Sequence, residues 1–378
     1  MESRLQANEP RMRPAFSSLR QAVGFTLLLL AFLVAPALAG KKLLPPRREI
    51  YSSIWWANGD FPYMDGQIFQ DKGDLDIVFM GSSHIWAGLD SPSIQEQLSQ
   101  QTGRPAAVRT FGWGGPGFDA LYLIAQDVLS QRHVHMLVLD DGYSTTDQPH
   151  TLTAQMFRFG DDADALTGLP APFQAAYYFA SIAGMPRNVL SLARTNLSAD
   201  MDAPSYWETN SRALNIPRNL GAITTRVGFR DSSGVVAPFV AYTPQTGAQP
   251  SDVCLYSPET KTNFVFGGSL PAMQLHFAQK LAASAQAHDT RLVIIHMPTF
   301  DERRSTVISM PVCWPDALHA DVTLIGIPPA TLFQGLTDDD IRKLYSDSVH
   351  FNQNGQNYFT RLMAPNLLKI YESSIQKP

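Results

Sequence analysis

A chain of 378 residues, 44% of them hydrophobic, is long enough for about two domains or one large one with a sizeable core. Its charged fraction of 17% lies below the roughly 25% usual for soluble domains, which excludes an intrinsically disordered chain. The net charge of -5 excludes the basic excess of a nucleic-acid binder, and 2 cysteines are too few for a disulfide-framework miniprotein or a cysteine-built structural zinc site.

Residues 1–39 read as a targeting segment. Ala22 to Ala39 carry no charge, Arg4, Arg11, Arg13 and Arg20 precede them, and Ala37-Leu38-Ala39 has the A-x-A form a signal peptidase reads. The run is also just long enough to span a bilayer, so a cleaved signal peptide and a retained N-terminal apolar helix are both open. Lys41, Lys42, Arg47 and Arg48 follow it, and flanking charge therefore leaves orientation undecided. Either way the chain is expected in the cell envelope, exported to the periplasm or anchored in the inner membrane by residues 22–39. Cys254 and Cys313 fit an oxidising compartment. Pairing them would close a loop of about 60 residues, worth on the order of 4 kcal/mol, and two separate buried thiols are the alternative.

Residues 40–71 read as a lead-in or stalk. From there short apolar strands alternate with helices. Strands are expected at Asp76–Gly81, Ala107–Thr110, Met136–Asp140, Leu292–Met297 and Val322–Ile325. Helices are expected at Ser91–Gln101, with Ser91-Pro92 as cap and first turn, at Phe118–Gln131, Leu270–His288 and Leu336–Tyr345, and at Gln353–Ser374 with an interruption at Pro365. Residues 151–269 read as an inserted mixed subdomain with helical pieces at Phe173–Ala183 and Arg187–Ala193. The alternation argues for a parallel sheet covered on both faces.

Ligands of open α/β sheets bind outside the C-terminal ends of the strands. The first strand runs into Gly81-Ser82-Ser83-His84. A serine at so sharp a turn is exposed beside backbone N–H groups, as a nucleophile requires. Taken alone, an ordinary serine-rich turn or cap is the favoured account of the segment. The second strand runs into Gly112-Trp113-Gly114-Gly115-Pro116-Gly117. This matches G-x-G-x-x-G and, with Asp140 further on, outlines a dinucleotide fingerprint. Pro116 at the helix start and the place of the motif after the second strand weaken that reading, and tight packing is the plain alternative. The third strand ends in Asp140-Asp141-Gly142, acidic residues suited to a metal, to orienting a loop, or to nothing beyond a solvated strand end. Near the C-terminus stands Asp347-Ser348-Val349-His350. Its spacing lets the Asp347 carboxylate reach the His350 ring and leaves the second ring nitrogen as base. Asn352 is placed to cap the last helix. His133 and His135 alternate at a strand start and face solvent. His296 lies late in the fourth strand, lining the site or packing.

In this combination and order the sequence resembles the SGNH/GDSL hydrolase superfamily, over residues 72–150 and 270–378. Within it the chain is similar to the membrane-anchored SGNH-like acyltransferases of the bacterial cell envelope, DltD-like or alginate O-acetyltransferase-like. The resemblance implies a three-layer α/β/α flavodoxin-like domain, residues 72–378, with about five parallel strands and the 151–269 insertion. It implies Ser83 as nucleophile, His350 as base and Asp347 as its partner. Oxyanion or substrate contacts fall to Ser83, Gly117 and its competitor Gly115. The third block of the superfamily supplies an asparagine, where this chain has Asp140-Asp141-Gly142, so Asp141 stands in that place. The implied activity is ester hydrolysis or O-acyl transfer through an acyl-enzyme, with no cofactor and no metal. The implied partners are an acylated small molecule or polysaccharide and a membrane-embedded acyl-donor protein. A non-catalytic carbohydrate-binding or assembly protein of the same fold, and the dinucleotide reading through Gly112–Gly117, are the alternatives.

Overall fold

The structure, a computed structural model, describes residues 16–43, 47–53, 61–142, 145–197 and 264–375. Its strands are β1 (Leu75–Ser82), β2 (Val108–Trp113), β3 (Val134–Asp140), β4 (Phe264–Phe266), β5 (Arg291–Ile295), β6 (Ile308–Met310) and β7 (Val322–Ile325). Five of them form one parallel sheet in the order β2-β1-β3-β5-β7, and β4 pairs with β6 in a separate parallel pair.

The apolar runs become strands because both faces of this sheet are covered. Side chains alternate across a strand, and here the two sets enter different cores. Ile77, Phe79, Met136, Val138, Val293 and Ile295 pack on one side. Val78, Met80, Leu137, Leu139, Leu292 and Ile294 pack on the other. All of β1 is buried, so neither face keeps a polar alternation.

The helices that cover the faces follow in chain order. Helix α1 spans Leu19–Leu43, and its described leucines, Leu19 and Leu27 to Leu30, are exposed. The side chains of 32–43, which include much of the apolar run 22–39, lie outside the described residues. Among the described residues no helix is long and apolar enough to cross a membrane. Helix α2 (Ser83–Gly88) leaves β1 directly. Helix α3 (Ser91–Thr102) packs on the Ile77 side. Its cap is Asp90 rather than the expected Ser91: the Asp90 carboxylate accepts from the Ser93 N–H at 3.2 Å. Helices α4 (Phe118–Gln131) and α6 (Ala272–Ala287) lie together on the Val78 side. Between them in sequence, α5 spans Ala171–Leu197 as one helix where two pieces were expected. The last helix, α7 (Gln353–Ile375), covers the Ile77 side and runs unbroken through Pro365.

Parts of the lead-in and of the stretch read as an insertion pack into this body. From the lead-in, Ile50, Tyr51, Phe61, Met64 and Ile68 are buried in the α4 and α6 layer. From the start of the expected insertion, Leu152, Met156, Phe157, Phe159 and Tyr177 join the same cluster. Cys313 is disulfide-bonded. The chain's other cysteine, Cys254, lies outside the described residues, as does most of the insertion.

Candidate active site

The order of the sheet reverses at β1, whose two neighbours are β2 and β3. A crevice at the C-terminal ends of the strands is expected at such a point, and the chain leaves β1 there through Ser82 and Ser83. Ser82 caps the short helix α2: its hydroxyl accepts from the His84 N–H at 3.2 Å and donates to Asp140 Oδ2 at 2.8 Å. Gly81 permits this turn. A Cβ there would stand 2.4 Å from Asp140 Oδ1 and 2.9 Å from Ile85 Cγ2, closer than atoms can approach. Ser83 is thereby held half-buried at the start of α2.

Across the crevice the loop 345–351 brings in Asp347 and His350. Tyr345 and Phe351 form an antiparallel bridge, the Ser346 N–H donates to the His350 carbonyl at 2.9 Å, and Asn352 N–H to the Leu344 carbonyl at 2.9 Å. Asn352 Oδ1 then accepts from Asn354 and Gly355 N–H groups and caps α7, as its position in the sequence suggests. Inside this loop Asp347 Oδ1 accepts from the backbone of Val349 and of His350, both at 2.7 Å. Asp347 Oδ2 lies 2.7 Å from His350 Nδ1, and His350 Nε2 lies 2.9 Å from Ser83 Oγ.

Chemistry assigns the protons in this chain of contacts. Burial favours a neutral Asp347, but the His350 bonds outweigh it and bring the carboxyl down to about 2. An ionised carboxylate only accepts, so Nδ1 of His350 carries the proton. Nε2 then presents its lone pair to the Ser83 hydroxyl, which donates.

A second histidine–carboxylate unit adjoins the first. His296 follows β5, and its Nδ1 lies 2.7 Å from Asp141 Oδ2 while Nε2 lies 3.4 Å from Glu302 Oε1. Burial would lower the His296 pKa. The two carboxylates reverse that and push it up to about 10. Glu302 also completes a capping box with Thr299, which fixes its carboxylate. The 296–302 loop is joined to the Asp347–His350 loop by Phe300 N–H to the Ser348 carbonyl at 3.0 Å and by the Tyr345 hydroxyl to the Pro298 carbonyl at 2.8 Å. His84, next to Ser83, packs edge-on to His350 at 6.3 Å between ring centres. Burial first, then the nearby His350 and His296, bring its pKa down to about 3, so it is neutral. Asp140 is pushed up to about 7 by burial, against the Ser82 hydrogen bond and with Asp141 adding to the rise.

The sequence-expected residues Ser83, His350 and Asp347 thus come together in one hydrogen-bonded line. Asp141 lies close by but is engaged with His296. Gly115 and Gly117 belong to the loop after β2 and sit beneath the His150 ring. No described contact joins them to Ser83. Glu302 and His84 were not singled out from sequence. The T-x-x-E capping-box pattern was a legible signal for Glu302, and adjacency to Ser83 was one for His84. Compared with models of known protein families and with curated proteins, the chain matches none.

Proposed function

We propose that the protein is an SGNH-like serine-dependent ester hydrolase or O-acyltransferase whose triad is Ser83, His350 and Asp347. The observation that carries this reading is the unbroken line from Ser83 Oγ to His350 Nε2 and from His350 Nδ1 to Asp347, at 2.9 and 2.7 Å. Both gaps are within the reach expected of a nucleophile, its base and the group that orients the base.

In the proposed reaction Ser83 Oγ attacks the carbonyl carbon of an acyl ester while its proton passes to His350 Nε2. Asp347 stabilises the imidazolium. The tetrahedral oxyanion is assigned to the Ser83 and Gly117 N–H groups, and one such donor is worth about 10²–10³ in rate. Collapse expels the alcohol, which takes the proton from His350 and leaves the acyl group on Ser83. Water or a carbohydrate hydroxyl, deprotonated by the same nitrogen, then releases the acyl group. The acyl ester is proposed to belong to a small molecule or a cell-envelope polysaccharide, with a membrane-embedded acyl-donor protein as partner in the transferase case. Export rests on the uncharged run 22–39 and on Ala37-Leu38-Ala39. N-terminal sequencing of the chain recovered from cell fractions tests it.

A binding protein without turnover is the second reading, motivated by Asp140-Asp141 in the place of the superfamily's asparagine. The dinucleotide reading is disfavoured by packing. At the start of α4 the Phe118 N–H already donates to Gln274 Oε1 at 2.9 Å, and the buried Asp119 carboxylate occupies the first turn, where a pyrophosphate would be repelled. Labelling by a fluorophosphonate probe tests the main proposal. The expected result is covalent labelling that Ser83→Ala abolishes. Labelling that persists in that variant overturns the nucleophile assignment, and polysaccharide binding without labelling or ester turnover favours the second reading.

A further inference from the structure

At the opposite end of the sheet, β3 begins between two histidines that the reaction does not use. His133 and His135 flank Val134, and residues two apart on a strand project to one side. Their rings meet edge to face with centres 4.5 Å apart. The neighbouring strand adds a carboxylate. Leu75 pairs with Val134, and its N–H donates to the His133 carbonyl at 2.8 Å, which brings Asp74, the residue just before β1, beside both rings. One ligand atom from each of Asp74, His133 and His135 lies within 4.8 Å of the other two. Asp74 and His133 are exposed and His135 is half-buried, so the cluster opens to solvent.

We propose that Asp74, His133 and His135 bind a zinc ion. Two imidazole nitrogens and one carboxylate oxygen form a borderline donor set, suited to zinc and its transition-metal neighbours and unlike the all-oxygen shells of calcium or magnesium. Zinc bonds of about 2.1 Å place tetrahedral ligand atoms roughly 3.4 Å apart. Side-chain rotation at two exposed residues closes the remaining gap, and water fills the fourth position. The groups around the cluster carry charges of both signs. Asp76, bonded to Arg104 and to the Tyr371 hydroxyl of α7, stands behind it, and Tyr371 meets the His135 ring at 6.3 Å. Arg104 and Arg132 are the nearby positive charges.

The length of β1 separates this site from Ser83, about 25 Å for 8 residues. Bound zinc would therefore clamp the entry of β1 to the start of β3 and stabilise the fold without taking part in acyl transfer. The experiment is calorimetric titration of the full chain with zinc chloride at pH 7.5 and 5.5, with thermal unfolding in parallel. The expected result is one zinc per chain, weaker at pH 5.5 where protons compete for the imidazoles, and a midpoint that rises with zinc. His135→Ala should weaken binding by about tenfold or more, as should His133→Ala and Asp74→Ala. The last two replace exposed side chains and keep the test valid if His135→Ala fails to fold. No uptake at millimolar zinc overturns the proposal, and so does uptake that these variants leave unchanged. Fluorophosphonate labelling of Ser83 is independent of either outcome.

Discussion

At the scale of single residues, two imidazoles beside the Ser83–His350 contact, His84 and His296, are held in opposite charge states by their surroundings. His84 stays neutral because burial and the neighbouring His350 and His296 outweigh Glu302 and Asp347, whereas His296 is charged because Asp141 and Glu302 flank it. The His296 ion pair makes stability depend on pH in a defined direction. Its folded pKa of about 10 exceeds the unfolded value of about 6.5. The contribution is therefore complete below about pH 6.5 and is lost as pH rises toward 10. Glu302 reports the same interaction from the acid side. Burial opposes ionisation, but His296 brings the carboxyl down to about 2, so stability is lost as pH falls from about 4.3 through that value. His296→Gln should remove the alkaline slope, which is at most about 1.4 kcal/mol per pH unit. Urea unfolding at pH 6, 8 and 9.5 measures it, and an equal slope in the variant would refute the assignment.

At the scale of elements, the loop 345–351 and the start of α7 act as one piece. Gly355 explains why. A Cβ there would lie 2.0 Å from the Leu344 carbonyl oxygen and 2.6 Å from Phe351 Cδ1. Backbone cannot swing aside as a side-chain tip can, so Gly355→Ala should push α7 off the loop that carries His350. A cost of about 1–3 kcal/mol is expected, together with slower labelling of Ser83. A wild-type denaturation midpoint and labelling rate would refute this. Elements of this kind were legible to different degrees. The five strands of the main sheet stand out because each is a short apolar run bounded by polar residues. The pair β4 and β6 does not, since three-residue strands leave no period to detect. The expected break at Pro365 is absent because Pro365, Arg361 and Leu362 all face solvent, where water replaces the hydrogen bond that proline cannot make. Asp347 and His350 were readable as a local spacing. The His296 pair was not, because Asp141 lies 155 residues away in sequence.

At the scale of the whole molecule, charge as well as apolar burial fastens the N-terminal part of the described chain to the sheet's helical layer. Arg47, in a segment whose composition suggested a stalk, contacts Asp127 of α4 at 3.2 Å and Asp162 at 2.6 Å, and the Tyr51 hydroxyl donates to Asp127 at 2.9 Å. Arg47→Met keeps the apolar stem but removes the cation that contacts Asp127 and Asp162, leaving Arg158 as the remaining positive charge near them. The expected loss is about 3–5 kcal/mol at neutral pH, read from the urea midpoint. An unchanged midpoint would show the pair to be dispensable. The α7 layer has a consequence of another kind. Ser83 and His350 are 267 residues apart in sequence, so in the proposed triad the nucleophile is synthesised well before the base. A growing chain therefore carries the proposed nucleophile through those 267 residues without the proposed base. On that proposal reactivity is expected only once α7 has docked, and covalent labelling would double as a clock for that step of folding.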